Sequence, residues 1–456
     1  MRHRRAMVGA WLAVAACSGG PERGPAQGVT LAPDTSWVAR SAIYQVFVRD
    51  FSPTGDFRGV AAGLGRIEAA GADVLWLMPI HPIGAVNRKG TIGSPYAARD
   101  YRGFEPSFGT EDDFQALVDA AHARGMKLIL DFVPDHTSPD HPWVREHPDW
   151  YFRNDRGEPS VPRDAQGRLT DWTDVVQLDY GNPEVRREMI ATMRWWLQEF
   201  GIDGFRMDVA GFLPIDFWRE ATPQLRAAVP RPILLLAEWG DLAMHQAGFD
   251  LTYGWDGYRA LKAVWRGESP ASAFVQQVQG EMDSMPPGGM RLRFTTNHDE
   301  TAWDDPPVTI FHGAMGARAA FVAMALLPGR PMVYNGQEVE SPQKLRLFER
   351  DPIVWAQPGA DSARAFYSRV LRLARTHPAL RTGGLRAVET TAAPDVIAYG
   401  RDRLVVLVNA RPREVSLTVS GFDVGGARDL LTDRTQQGAT VTLPAYGALV
   451  LERQAN

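Results

Sequence analysis

The chain has 456 residues, of which 45% are hydrophobic and 23% are charged, and its formal net charge at pH 7 is −5. The length excludes a single small domain, and the composition is ordinary for a soluble globular protein. The net negative charge argues against nucleic acid as a partner, because phosphate binding needs a basic surface.

The N-terminal residues have the features of a secretion signal. Three arginines precede an apolar run over residues 7–16, which is too short to cross a bilayer as a mature helix. The run ends in small residues before Cys17, the only cysteine in the chain, and this arrangement resembles a bacterial lipobox. We therefore predict a signal peptide over residues 1–16 and acylation of Cys17. Residues 17–40, rich in Gly, Pro and Ala, are predicted to be a tether.

These features predict where the protein acts. An acylated N terminus would make it a secreted lipoprotein, anchored to the periplasmic or cell-surface side of a bacterial membrane. No second long apolar segment follows, so no transmembrane helix is expected in the mature protein.

Short apolar segments alternate with helix-like stretches from about residue 41 onward. Most of the apolar segments are continuous rather than alternating, as expected for parallel strands that are buried on both faces. The eight predicted strands are residues 43–48, 74–78, 127–133, 204–209, 233–237, 249–253, 291–295 and 331–334. This repeated alternation predicts an α/β fold of the (β/α)8 TIM-barrel type.

Two regions depart from the barrel pattern. Residues 137–175 show little periodicity, and we predict that they form an insertion domain after the third strand. Residues 377–456 contain short strand-like segments separated by turn residues, which predicts a C-terminal antiparallel β domain. The catalytic barrel is then predicted over residues 41–136 and 176–376.

Ionisable and aromatic residues lie at the ends of four predicted strands. They are Asp135 and His136 on the third, Arg206 and Asp208 on the fourth, Glu238 and Trp239 on the fifth, and His298 and Asp299 on the seventh. Asp208 precedes Glu238 by 30 residues, about one βα unit, and Glu238 precedes Asp299 by 61, about two units. Because this end of a barrel carries its active site, the spacing predicts catalytic carboxylates.

Arg206 and Asp208 are two positions apart on one strand, so their side chains point to the same side. Taken alone, they could form a structural ion pair, and His136 and His298 could be packing residues. If the pair faces the barrel interior, the guanidinium would keep Asp208 ionised. An ionised carboxylate roughly 5 Å from one of raised pKa is what retaining glycoside hydrolysis requires.

The quoted segments resemble the alpha-amylase family of glycoside hydrolases, and the resemblance extends from about residue 43 to the C terminus. Asp131-Phe132-Val133-Pro134-Asp135-His136 resembles the family's third-strand motif, and Gly204-Phe205-Arg206-Met207-Asp208 its nucleophile motif. Asn297-His298-Asp299 is similar to the transition-state motif, and Ser94-Pro95-Tyr96 to the loop after the second strand. The resemblance implies three domains: a barrel, an insertion after strand three and a C-terminal β-sandwich.

The resemblance also implies residue roles. Asp208 would be the nucleophile, Glu238 the acid/base, and Asp299 the group that stabilises the transition state. The residues implied to hold the sugar are Tyr96, His136, Arg206 and His298, with Trp239 on the leaving-group side. The chemistry is expected to need no redox or nucleotide cofactor.

Two features of the sequence depart from the family pattern. Asp135 stands where the third-strand motif usually has an asparagine that, in many members, contributes to a structural calcium site. Aspartate is a good calcium ligand, so a structural calcium ion at Asp135 is an expectation. Val209-Ala210-Gly211 follows the nucleophile in place of the Lys-His pair common in typical alpha-amylases, which favours maltooligosaccharides over long starch as substrate.

Three functional hypotheses remain open at this point. The first is hydrolysis of alpha-1,4-linked glucans or maltooligosaccharides by double displacement. The second keeps this chemistry but uses a sugar as acceptor, as in transglycosylation or isomerisation by trehalose-forming relatives. The third is a non-catalytic, glycan-binding surface lipoprotein. It predicts the loss of a catalytic carboxylate, and the presence of Asp208, Glu238 and Asp299 argues against it.

Overall fold

A computed structural model of the protein describes residues 37–453. Within this range eight parallel strands close into a barrel in chain order, which confirms the predicted fold. The first to eighth barrel strands are Ile43–Val46, Val74–Leu77, Lys127–Phe132, Gly204–Met207, Leu234–Ala237, Leu251–Tyr253, Met290–Arg293 and Arg330–Tyr334. Nearly every residue of these strands is buried, as expected for parallel strands that are covered on both faces.

Helices surround the barrel, and capping residues in the sequence mark where several of them begin. Thr110 and Asp113 form a reciprocal capping box at one helix start, and Asn182 caps another that begins with Pro183. The α-helices of the barrel region are Val48–Phe51, Phe57–Ala69, Glu111–Ala123, Pro183–Glu199, Ile215–Ala227, Ala243–Gln246, Trp255–Trp265, Ala271–Ser284, His298–Trp303, Pro307–Ile310, Ala314–Ala325 and Ala360–Thr376. Short 3-10 helices lie at Val38–Arg40, Pro106–Phe108, Ala210–Phe212 and Gln337–Val339.

The segment after the third barrel strand leaves and rejoins the barrel through a short antiparallel pair. His136–Thr137 pairs with Val176–Gln177, so the chain on either side of residues 137–175 is held together. Between them lie the helix Pro142–Glu146, the 3-10 helix Pro148–Trp150 and isolated bridges such as Arg153 to Pro159. The segment therefore begins and ends near the carboxyl end of the third barrel strand.

The C-terminal region is antiparallel β structure after a last helix, Pro378–Thr382. Five strands form one sheet in the order Leu385–Ala387, Val396–Arg401, Leu404–Asn409, Ala448–Glu452 and Arg428–Asp429. Val415–Thr418 pairs with Thr440–Leu443 in a second, two-stranded sheet. The Arg401 guanidinium donates to the Leu326 carbonyl at 2.6 Å, which fastens this region to a barrel helix.

Residues 37–40 differ from the expectation for the tether. Their composition predicts that these four residues belong to the tether. Val38, however, is fully buried within the main hydrophobic core. The Trp37 indole N–H also donates to the Pro232 carbonyl at 3.3 Å. The apolar side chains of these residues explain the difference, since burial against the barrel removes them from water.

Candidate active site

A cavity of about 320 Å³ opens at the carboxyl end of the barrel strands. Its volume is at the lower end of the roughly 300–1,000 Å³ that small-molecule sites occupy. Of the predicted site residues it is lined by Tyr96, His136, Asp208, Glu238, His298 and Asp299. Residues more than 200 positions apart in the chain are therefore brought to one surface.

Arg206 is the centre of the charge arrangement below this cavity. It is fully buried, and its guanidinium forms ion pairs of 2.7 Å with each of Asp131, Asp208 and Glu238. Asp299 stands at the rim with 34% of its side chain exposed. Arg206 thus contacts two of the three predicted catalytic carboxylates, those of Asp208 and Glu238.

Burial dominates the titration of these carboxyl groups. It raises the pKa of Asp208, Glu238 and Asp299, and it raises that of Asp131 to about 7. The charge of Arg206 lowers each pKa, but desolvation by burial has the larger effect. Arg206 thus acts on Asp208 in the direction expected from the sequence, and burial opposes it.

Tyr96 and His298 form a stacked pair at one wall of the cavity. Their ring centroids are 5.3 Å apart with an interplanar angle of 19°, and the Tyr96 hydroxyl lies 2.6 Å from Nε2 of His298. The Gln45 amide nitrogen lies 2.8 Å from the other ring nitrogen. Burial lowers the pKa of His298 to about 3, so the imidazole is neutral and serves as a hydrogen-bonding group.

His136 also lines the cavity, and its ring is held by Asp135. The distance from Nδ1 of His136 to Oδ2 of Asp135 is 3.1 Å, and the Gln177 amide donates to the other carboxylate oxygen at 3.0 Å. The Gln177 amide oxygen accepts from the Arg163 backbone N–H, which identifies its nitrogen as the donor to Asp135. Asp135 therefore positions His136.

The residues around Asp135 do not fit the structural calcium ion expected there. Calcium requires about 6–8 oxygen ligands, whereas nitrogen groups face both carboxylate oxygens of Asp135. Among residues 37–453, no three His, Cys, Asp or Glu side chains form a group that could hold a metal. The aspartate at this position is instead explained by its bonds to His136 and Gln177.

The backbone turn after Asp208 provides a hydrogen-bond donor for Glu238. Val209 has left-handed backbone angles, φ 37° and ψ 43°, which are unusual for a β-branched residue. In this conformation its N–H donates to Oε2 of Glu238 at 2.7 Å, while Arg206 pairs with the other oxygen. Glu238 is thus fixed at both oxygens, at the cost of local backbone strain.

Trp239, expected on the leaving-group side, does not line the cavity itself. Its ring covers Gly211, where a Cβ would clash with the indole, and it meets Phe212 at 6.0 Å. Phe212 in turn stacks at 5.9 Å on Trp172, which does line the cavity. Trp239 is therefore the outermost ring of an aromatic series that begins at the wall.

Several cavity residues could not be identified from the sequence. Lys89, Trp172, Asp174 and Phe348 come from loops whose sequences show no periodicity, and Trp303 ends the short helix His298–Trp303. Gln45 and Tyr253 support the site from barrel strands, with the Tyr253 hydroxyl 3.3 Å from Nε of Arg206. A polar residue inside a continuous apolar strand, as at Gln45, is the signal that could have identified it.

The predicted lipidation residue, Cys17, lies outside the described residues, so its role stays a prediction. Within residues 37–453, no helix combines the length and the apolar character needed to cross a bilayer.

Comparisons with known proteins agree with this geometry. Residues 35–241 match the family model "Alpha amylase, catalytic domain". The fold resembles the crystal structure of an alpha-amylase from Lactobacillus plantarum, with 33% sequence identity, a TM-score of 0.80, and coverage of 92% of this chain and 100% of that one.

Two curated relatives carry different activities in their names. An alpha-amylase, MalA, from Haloarcula japonica is 28% identical, over 84% of this chain and 57% of its own length. An alpha-1,4-glucan:maltose-1-phosphate maltosyltransferase from Streptomyces coelicolor is 27% identical, over 84% of this chain and 60% of its own length. The chain thus spans less than two thirds of either relative.

Proposed function

Because the chain belongs to the alpha-amylase family, we propose that it is a retaining glycoside hydrolase acting on alpha-1,4-linked glucans or maltooligosaccharides. The observation that carries the proposal is the convergence of Asp208 and Glu238 on the guanidinium of Arg206, each at 2.7 Å. Two carboxylates held by one guanidinium must lie close together. Such an arrangement is compatible with the roughly 5–5.5 Å separation of retaining enzymes.

In the first step, Asp208 attacks the anomeric carbon as the bond to the leaving oxygen breaks. Glu238 gives its proton to that oxygen, so the leaving chain departs as an alcohol and a covalent glycosyl-enzyme forms at Asp208. Burial raises the pKa of Glu238, which is the direction that a general acid requires. In the second step Glu238 takes a proton from water, which attacks the anomeric carbon and releases Asp208.

The remaining groups bind and stabilise the sugar in this proposal. Asp299, the most exposed of the three acids, accepts hydrogen bonds from sugar hydroxyls and stabilises positive charge at the transition state. Tyr96 offers a ring face, and both His136 and the neutral His298 supply hydrogen bonds. Carboxylates supply both the nucleophile and the proton, so no redox or nucleotide cofactor is required.

A second candidate function is transfer of the glycosyl group to an acceptor other than water. The relative from Streptomyces coelicolor supports it, since its name describes a maltosyltransferase that uses alpha-1,4-glucan and maltose-1-phosphate. The two functions share the glycosyl-enzyme and differ only in which nucleophile enters after the first step. The sugar-acceptor and isomerase alternatives belong to this same class.

Product analysis separates these functions. The purified protein is incubated with starch, pullulan, cyclodextrin, maltotriose, isomaltose, trehalose and, with a glucan acceptor, maltose-1-phosphate. Only glucose and maltose from maltotriose would support hydrolysis, whereas longer or rearranged sugars would support transfer. If wild-type protein changes none of these substrates, or if Asp208→Asn and Glu238→Gln retain full activity, the proposed function is wrong.

We also propose that the mature protein is held at a bacterial membrane through a lipid on Cys17. The apolar run and small residues before this cysteine support the proposal. Growth of the producing cell with a radiolabelled fatty acid should label wild-type protein but not the Cys17→Ala variant. Equal labelling of both would contradict the anchor.

A further inference from the structure

Three loops are joined along one side of the cavity. They are the loop after the second barrel strand, residues 84–93; the insertion at residues 172–175; and the loop after the eighth barrel strand, residues 345–350. The backbone N–H groups of Ile92 and Gly93 donate to the Phe348 carbonyl at 3.1 and 3.3 Å. Asn87 donates to the Thr173 carbonyl at 3.0 Å. The three loops therefore form one continuous wall.

Arg49 strengthens this wall from below. It follows the first barrel strand, is buried, and donates from one guanidinium nitrogen to the carbonyls of Gly93, Leu347 and Glu349 at 3.1–3.3 Å. A single side chain thus fixes two of the loops relative to the barrel.

Lys89 and Asp174 complete the wall above the cavity. Their charged groups are 3.1 Å apart, and both residues line the cavity. Asp174 is 5% exposed and Lys89 30%, while the Lys89 ammonium also lies 5.7 Å from the centre of the Phe348 ring. The pair therefore links all three loops at the surface where a sugar would lie.

The position of this wall relative to Glu238 determines which part of a substrate it meets. Glu238 follows the fifth barrel strand, and in a closed ring of eight the fifth strand lies opposite the first. Lys89 and Phe348 follow the second and eighth strands, which flank the first. Since Glu238 protonates the leaving group, the leaving chain lies on its side of the barrel, and the glycone points toward the side that carries Lys89 and Phe348.

We propose that Lys89 and Asp174 close the glycone end of the cavity, so that the enzyme acts on non-reducing chain ends and not inside long chains. In an alpha-1,4-glucan the chain continues from the glycone through its O4 toward the non-reducing end. A wall at this position leaves room for a short terminal segment and stops a longer one. The ammonium and carboxylate offer a donor and an acceptor to the terminal hydroxyls.

The inference rests on the proposed function, and one pair of substrates tests both. Wild-type protein is given maltoheptaose and the same oligosaccharide with its non-reducing end capped as an ethylidene acetal, and products are separated by chromatography. We expect cleavage of the free form and at least about tenfold slower cleavage of the capped form. Equal rates would overturn the inference while leaving the proposed function intact. Cleavage of neither would overturn both.

Variants of the pair test its assignment. Lys89→Ala and, as a milder change, Asp174→Asn should reduce the preference for the free end at least about tenfold. Lys344→Ala is the matched control, because Lys344 forms an exposed ion pair with Asp305 at 4.0 Å and does not line the cavity. If both pair variants keep the wild-type preference, Lys89 and Asp174 do not close the site. A preference lost equally in the control would likewise overturn their assignment.

Discussion

Nη1 of Arg206 lies 2.7 Å from Oδ1 of Asp208, two positions further along the same chain. The contact follows from strand geometry, since alternate residues point to one side and here that side is the barrel interior. The same guanidinium also faces Asp131 and Glu238. Arg206 therefore reduces the repulsion among acids that the reaction requires to be close together.

Replacing Arg206 should damage both stability and activity. Arg206→Ala leaves Asp131 and Glu238 buried without their cation, and loss of a buried partner costs about 3–5 kcal/mol of unfolding free energy. Urea denaturation of wild type and variant measures this difference. Arg124→Ala, which removes an exposed pair with Glu68, should cost at most about 1 kcal/mol. Equal losses in the two variants would contradict the role of Arg206.

Glu238→Gln should lose less activity on a substrate whose leaving group needs no proton. With maltooligosaccharides we expect kcat to fall by about 10²–10⁴-fold, because the general acid is missing. With an alpha-maltosyl fluoride the loss of the first step should be much smaller, since fluoride leaves without protonation. Steady-state rates on both substrates measure the difference. An equal loss of activity on both substrates would show that Glu238 is not the general acid.

Buried histidines should make the protein less stable in mild acid. Burial lowers the pKa of His81 from 6.5 to about 4, so the unfolded chain binds the proton more readily than the folded one. Stability contributed by this residue is complete above pH 6.5 and decreases as the pH falls toward 4, by up to about 3 kcal/mol. His141 and His245 add to the effect in the same direction.

Urea denaturation between pH 7 and pH 4 tests this. His81→Gln should flatten the dependence of unfolding free energy on pH, whereas the exposed His312→Gln should leave it as in wild type. An unchanged slope in His81→Gln would show that this ring does not titrate as described.

Removal of divalent cations should have little effect on the fold. Hydrogen-bonding groups of His136 and Gln177 already face both oxygens of Asp135. After dialysis against EDTA we expect the melting temperature to stay within about 2 °C, which corresponds to less than roughly 1 kcal/mol. A larger decrease that calcium reverses and magnesium does not would establish a calcium site.

The barrel could be predicted from sequence because most of its strands lie in short apolar segments that alternate with helix-like stretches. The eight predicted segments coincide with the observed strands to within a few residues. Arg428–Asp429 was not predicted, since two residues carry no periodicity and become a strand only by pairing with Ala448–Glu452. Short strands of this kind depend on contacts that are distant in the chain.

The site residues that could be predicted from sequence are those that directly follow barrel strands. Asp208, Glu238 and Asp299 follow barrel strands at intervals of whole βα units, so their convergence followed from the fold. Lys89 and Asp174 were not predicted, because their contact joins two loops whose conformations depend on each other. The pKa of Asp208 could not be foreseen either, since it depends on burial and on how many acids share Arg206.

The proposed mechanism depends most on retention by Asp208, and the anomeric form of the first product tests it most directly. Proton NMR spectra recorded in the first minutes of maltooligosaccharide cleavage distinguish the two anomers before they equilibrate. Two successive displacements at the anomeric carbon predict that the alpha anomer appears first. If the beta anomer appears first, water attacks directly, and Asp208 is not the nucleophile.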